Sequence, residues 1–183
     1  MPSSAIPTAL PRKENILLSW PAPGPGYVAL TVDGSFQAAD SSAAAGMVLR
    51  DHQGQIIFAA YRVLFHCNDA LEAELHALMQ GMALAIQHSD LPVVVQSDSS
   101  EALAGLSGNA LSHSAYGHLV LEIKELMSNR EFVPLKICRS QNRVADRLAN
   151  YSRSERATAV WLRSVPPCIE DLWPLDCNTM TFE

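Results

Sequence analysis

Apolar and polar positions alternate from Tyr27 onward. Val28, Leu30 and Val32 share one face, and the run stops at Asp33-Gly34-Ser35, which predicts a first strand closed by an acid. Second and third strands are predicted over 45–50 and 55–64. The turn residues Asp51-His52-Gln53-Gly54 join them as a hairpin, so three antiparallel strands follow in succession. Leu71, Leu75, Leu78, Met82 and Ile86 then recur at helical spacing behind a capping-box pattern, Asp69 and Glu72. Pro92 to Gln96 reads as a short, uniformly apolar strand, as expected where helices cover both faces. The rest predicts a short helix near 101–106, a helix over 116–127, a strand over 131–138 and a last helix over 141–162. The order β-β-β-α-β-α-α-β-α predicts an α/β domain. Its five-stranded mixed sheet has three antiparallel strands, then parallel strands, flanked by helices.

The flanks differ. Residues 1–26 hold six of the eleven prolines, with Pro21, Pro23 and Pro25 interleaved with Gly24 and Gly26. Such a stretch favours extended geometry over a packed core, so 1–26 reads as a tail or linker, with Trp20 as a candidate to dock on the domain. The domain is expected over 27–163, followed by a C-terminal extension over 164–183. The chain is 48% hydrophobic, which excludes a fully disordered protein. No apolar run reaches the roughly 18 residues of a membrane span, and the first twenty residues lack a secretory core. The expected setting is intracellular and soluble, with nucleus and cytoplasm not distinguished, and no membrane partner.

Four acids have apolar neighbours. Asp33 ends the first strand and Asp98 follows the apolar run Val93-Val94-Val95, both in positions where sheet proteins place ligand sites. Adjacency of those strands would bring the two carboxylates side by side. Glu74 lies between Leu71 and Leu78 on the core-facing stripe of its helix, whereas Glu72 points roughly 200° away. Asp146 sits among Val144-Ala145 and Leu148-Ala149, with Asn142 one turn below on the same face. A buried carboxylate is costly without a partner, and clustered ones repel unless cations lie between them. Oxygen-only donors select magnesium or manganese, and two such ions suit phosphodiester hydrolysis.

Other candidate ligands look unpromising. Cys67, Cys138, Cys168 and Cys177 have no zinc-finger spacing and read as reduced thiols. His52, His66, His76, His88, His113 and His118 show no ligand spacing either and read as ordinary surface or loop residues. The net charge of −6 excludes a protein that coats nucleic acid through positive charge. Residues 139–163 nevertheless carry six arginines against Asp146 and Glu155. Arg139, Arg143 and Arg147 recur every four residues, a stripe able to track phosphates.

Five motifs appear in order: Thr31-Val32-Asp33-Gly34-Ser35-Phe36, Gly46 to Asp51 with Gly54, Ala73-Glu74-Leu75-His76-Ala77-Leu78, Gln96-Ser97-Asp98-Ser99, and Asn142 to Ala149. Together they resemble the plant ribonuclease H-like domain, a reverse-transcriptase-derived member of the type-1 ribonuclease H superfamily. The Trp20-Pro21 leader and the tail from Trp161 through Pro166-Pro167 to Asp176 resemble that group too. The resemblance implies that Asp33, Glu74, Asp98 and Asp146 are catalytic and metal-binding, holding two magnesium or manganese ions. The implied reaction is endonucleolytic hydrolysis of the RNA strand of an RNA–DNA hybrid, leaving a 5′-phosphate and a 3′-hydroxyl. Gly34, Ser35, Ser99 and Asn142 are implied beside the substrate, where the 2′-hydroxyl distinguishes RNA from DNA. A related exonuclease would carry a second acid at position 35, where this chain has Ser35.

One position departs from that pattern. The family often places a histidine about ten residues before the last aspartate, and here Lys136 stands there. With a reference pKa near 10.4, lysine is a poor proton shuttle at neutral pH, though it can hold a phosphate as a point charge. The segment 107–117 has no lysine or arginine, so a basic substrate-binding protrusion is expected to be absent. The sequence thus predicts a slow, monomeric ribonuclease acting on RNA–DNA hybrids. The alternative is a domesticated nucleic-acid-binding or interaction module that is catalytically weak or inactive.

Overall fold

A computed structural model describes residues 19–107 and 115–176. The sheet is built from β1 (Val28–Gln37), β2 (Ser42–Arg50), β3 (Ile56–Leu64), β4 (Val93–Ser97), β5 (Phe132–Lys136) and β6 (Ala159–Leu162). The helices are α1 (Ala70–His88), α2 (Ser100–Ser107), α3 (Gly117–Met127), α4 (Arg143–Glu155) and the short α5 (Trp173–Asp176). The strand order is β5-β4-β1-β2-β3-β6. β1, β2, β3 and β6 pair antiparallel, and β1, β4 and β5 pair parallel. This is the expected mixed α/β sheet with one strand more.

The sixth strand replaces the end of the last predicted helix. α4 stops at Glu155, where Arg156 takes a left-handed conformation (φ 51°). Ser152 closes the helix end by donating its hydroxyl to the Ala157 carbonyl at 2.7 Å. Thr158, Val160 and Trp161 are β-formers, and Ala159–Leu162 satisfies its backbone on β3 instead of prolonging α4. At the opposite edge, β5 accommodates Pro134 because an edge strand leaves one row of amides unpaired.

Two apolar cores lie on the two faces of the sheet. Val28, Leu30 and Val32 of β1 pack with Leu75, Leu78 and Met82 of α1 and with Leu119, Val120 and Ile123 of α3. Val48, Ala59 and Tyr61 pack on the other face with Val144 and Leu148 of α4 and with Ile169 and Leu172. Trp20 is buried, donating its indole N–H to Gln96 Oε1 at 2.6 Å, with its ring 3.8 Å from the Arg50 guanidinium carbon. Arg50 forms a fully buried ion pair with Asp176 at 2.8 Å. The main-chain N–H of Trp20 donates to the Asp176 carbonyl at 3.0 Å, so residues on either side of 27–163 meet on this face. The expected absence of a basic protrusion falls largely on 108–114, outside the described residues, as do His113, Cys177 and residues 1–18. Among the described residues, no helix is long and apolar enough to cross a membrane, and Cys67, Cys138 and Cys168 are free thiols.

Candidate active site

Strand register brings the first two acids together. Asp33 does not end β1, which runs on to Gln37 against β2. The parallel ladder between β1 and β4 does stop early, at Thr31 opposite Gln96. Asp33 and Asp98 each lie two residues beyond that last pair, so the place where two strands part gathers both carboxylates.

Two glycines let the acid-bearing helices approach. A Cβ on Gly34 would lie 2.5 Å from the Ala73 carbonyl carbon and 2.6 Å from the Glu74 nitrogen. The missing side chain therefore seats the first turns of α1 directly on β1 and carries Glu74 to Asp33. Gly46 pairs with Asp33 across β1 and β2, and a Cβ there would lie 2.3 Å from the Ala145 oxygen and 2.6 Å from the Ala149 nitrogen. That gap seats α4, which carries Asp146. Gly46 was not among the expected site residues. Its signal in the sequence is an isolated glycine inside an otherwise apolar strand.

Carboxylate oxygens of Asp33, Glu74 and Asp98 lie within 4.8 Å of one another. Asp33 lies against Glu74 and near Asp146, and the Gly34 main chain adjoins the Glu74 carboxylate. Burial first, then the charge of Glu74, pushes the Asp33 carboxyl far above its usual range. Burial also raises Glu74, against the lowering effect of Asp33 and the Gly34 main chain. Asp33 is buried, Glu74 and Asp98 are half-buried, and Asp146 is exposed at the rim rather than on a core-facing stripe. Glu74 Oε2 is buried and has no hydrogen-bond partner. An all-carboxylate donor set with one orphaned buried oxygen fits hard divalent cations.

The expected substrate contacts fare differently. Ser99 and Arg139 line an open cleft of about 340 Å³ together with Glu74, Asp98, Ala70, Leu71 and Glu101. Ser99 Oγ also accepts from the Ala102 N–H at 3.2 Å and so starts α2. Lys136, at the end of β5, donates to the main-chain carbonyl of Asp98. Asn142 is 1% exposed and donates to the Val32 carbonyl at 3.3 Å, tying the start of α4 to β1 instead of facing solvent. Ser35 donates to Asn150 at 2.7 Å and accepts from Arg153 Nε at 2.8 Å. The arginine spacing does not become one stripe. Arg139 lies in a 3-10 turn before α4, Arg143 approaches buried Asp176 at 4.0 Å, and Arg147 pairs with Asp171 at 3.2 Å.

The family model described as reverse transcriptase-like matches residues 31–152, which carry all four acids. The chain belongs to the reverse transcriptase-like family. Among solved structures, this reverse transcriptase-like chain is similar to ribonuclease H1 of Halobacterium salinarum, at 22% identity and TM-score 0.62, covering 72% of this chain and 100% of that one. It is also similar to the N-terminal ribonuclease H domain of a Mycobacterium tuberculosis protein, at 22% identity and TM-score 0.64, covering 70% and 94%. A third similar structure is a ribonuclease H1 named LC11 in complex with an RNA/DNA hybrid, at 19% identity and TM-score 0.59, covering 70% and 98%. These likenesses show the ribonuclease H fold. No curated protein matches the chain.

Proposed function

We propose that this protein is a slow endoribonuclease that hydrolyses the RNA strand of RNA–DNA hybrids. The observation carrying the reading is the convergence of Asp33, Glu74 and Asp98 oxygens within 4.8 Å, with Asp146 close enough to help raise the Asp33 carboxyl. Asp33, Glu74, Asp98 and Asp146 would hold two magnesium or manganese ions. When bound, those ions supply an activated water and charge stabilisation for the departing oxygen. Asp33 and Glu74 act as the inner carboxylates, while exposed Asp146 completes the rim. Ser99 and Arg139 border the cleft beside Asp98 and are placed to meet the substrate strand. The ammonium of Lys136 holds the Asp98 main chain where the family often places a histidine, and the loss of that histidine limits turnover. The chain acts as an intracellular monomer in this reading.

The second reading is a hybrid- or nucleic-acid-binding module with weak or lost chemistry. It is favoured by Lys136 and by the internal use of Asn142, Ser35, Arg143 and Arg147. Cleavage of a labelled RNA–DNA hybrid at low salt with magnesium or manganese separates the two. Cutting that Asp98→Asn abolishes supports the nuclease. No cutting by the parent or by Lys136→His, with both folded, supports the binding module.

A further inference from the structure

Helix α1 carries ionisable side chains on two sides. Glu74 faces Asp33, whereas Glu72 and His76, one turn apart, project together from the other side. Cys67 is buried in the loop between β3 and α1, 3% exposed. Its Sγ, a Glu72 carboxylate oxygen and a His76 ring nitrogen lie within 4.8 Å of one another. The sequence placed these residues among ordinary thiols and histidines because no second cysteine flanks them. The fold brings a loop thiol against a helical Glu/His pair, which linear spacing does not reveal.

One feature marks the cluster as more than packing. His76 Nδ1 is buried without a hydrogen-bond partner, which native structures seldom leave unexplained. Glu72 is held in place from outside the cluster. Its Oε2 accepts from the Asn68 N–H at 2.6 Å, and its own N–H donates to Asp69 Oδ1 at 2.9 Å. Asp69 Oδ2 in turn accepts from the Tyr116 hydroxyl at 2.7 Å, anchoring the loop to the segment before α3. Outer hydrogen bonds of this kind orient metal ligands.

We propose that Cys67, Glu72 and His76 form a zinc site distinct from the acidic cluster. A thiolate, an imidazole and a carboxylate suit a borderline-soft ion, whereas the acids around Asp33 suit a hard one. Three protein ligands leave the fourth tetrahedral position to water. Usual zinc bond lengths place ligand atoms about 3.5 Å apart, so the trio closes by roughly an ångström, within reach of side-chain rotation. The ion would clip the β3–α1 loop to the first two turns of α1, the helix that carries Glu74 to Asp33.

Cobalt(II), titrated into the metal-free full chain under a thiol-free reductant, reports sulfur ligation through charge-transfer absorption in the near ultraviolet. The absorption is expected to saturate at one ion per chain and to be bleached by zinc. Cys67→Ser abolishes it, while serine at Cys138, Cys168 or Cys177, or Asp98→Asn, leaves it intact. Glu72→Gln keeps an acceptor for Asn68, and this variant and His76→Gln each weaken cobalt binding by at least about tenfold. Circular dichroism checks that each variant is folded. Absence of the band, its survival in Cys67→Ser, or its loss with another cysteine overturns the proposal. Should Cys67→Ser not fold, unchanged cobalt affinity in both Glu72→Gln and His76→Gln overturns it equally.

Discussion

Gly34 lies directly against the main chain of Glu74, where a Cβ would approach the Glu74 nitrogen to 2.6 Å. A backbone contact cannot be relieved by a rotamer change, so Gly34→Ala must push α1 away from β1. We expect a loss of about 1–3 kcal/mol, the usual scale of overpacking. At roughly 2–4 °C per kcal/mol for a chain of this size, melting curves resolve it. Hybrid cleavage falls by about 100-fold, because Glu74 moves with its helix. Gly46→Ala acts in the same direction through α4 and Asp146. Parental melting with parental activity in both variants would refute the seating role of the glycines.

Carboxylate crowding makes the metal-free protein sensitive to pH. Asp33 is raised above its ordinary value of 3.8 in the folded chain, so the unfolded chain loses this proton first as pH rises. Folding stability associated with Asp33 is therefore complete below that value and is lost progressively above it. Asp33→Asn removes the dependence. With a chelator present, its melting temperature relative to the parent is expected to climb between about pH 5 and about pH 8. Manganese should stabilise the parent at the higher pH and stabilise Asp33→Asn much less. A difference that shrinks with pH contradicts the assignment.

Lys136 tests the chemistry separately from the fold. Its side chain is exposed and donates to the Asp98 carbonyl. Lys136→Ala is expected to cost at most about 1 kcal/mol in stability, as for other exposed charged contacts. Lys136→His supplies a group that titrates near neutrality and is expected to raise kcat by roughly tenfold or more, with KM little changed. A rise in KM without a change in kcat would assign Lys136 to substrate binding instead.

The buried pair Arg50–Asp176 binds the chain's flanks to its centre. Asp176→Ala removes the carboxylate facing a buried guanidinium and is expected to cost about 3–5 kcal/mol in denaturant unfolding. Arg50→Met combined with Asp176→Leu should recover much of that loss, since neither charge is then left buried. A chain trimmed to 27–163 lacks both Trp20 and Asp176 and is expected to melt far below the full chain. Equal melting temperatures would show that the flanks contribute nothing to the fold.

Local pattern determined much of this protein. Alternation over 28–32 and helical spacing from Leu71 to Ile86 depend only on which side chains avoid water, so those elements and the four acids as candidates could be read from the sequence. The arrest of α4 at Arg156 was harder to read. Thr158, Val160 and Trp161 favour a strand locally, but where the helix gives way and what the strand pairs with depend on β3, far away in sequence. The same limit applies to the site. The sequence supplied Asp33 and Asp98, but the register that stops at Thr31 and Gln96 placed them together. It supplied Gly34 and Gly46, but only packed neighbours made a missing Cβ into a seat for α1 and α4. Asn142 and Arg143 looked ready for substrate until the fold turned them toward Val32 and Asp176. Periodicity is a property of neighbours along the chain, whereas register, close approach and buried pairing are set by residues that meet only when the whole sheet has closed.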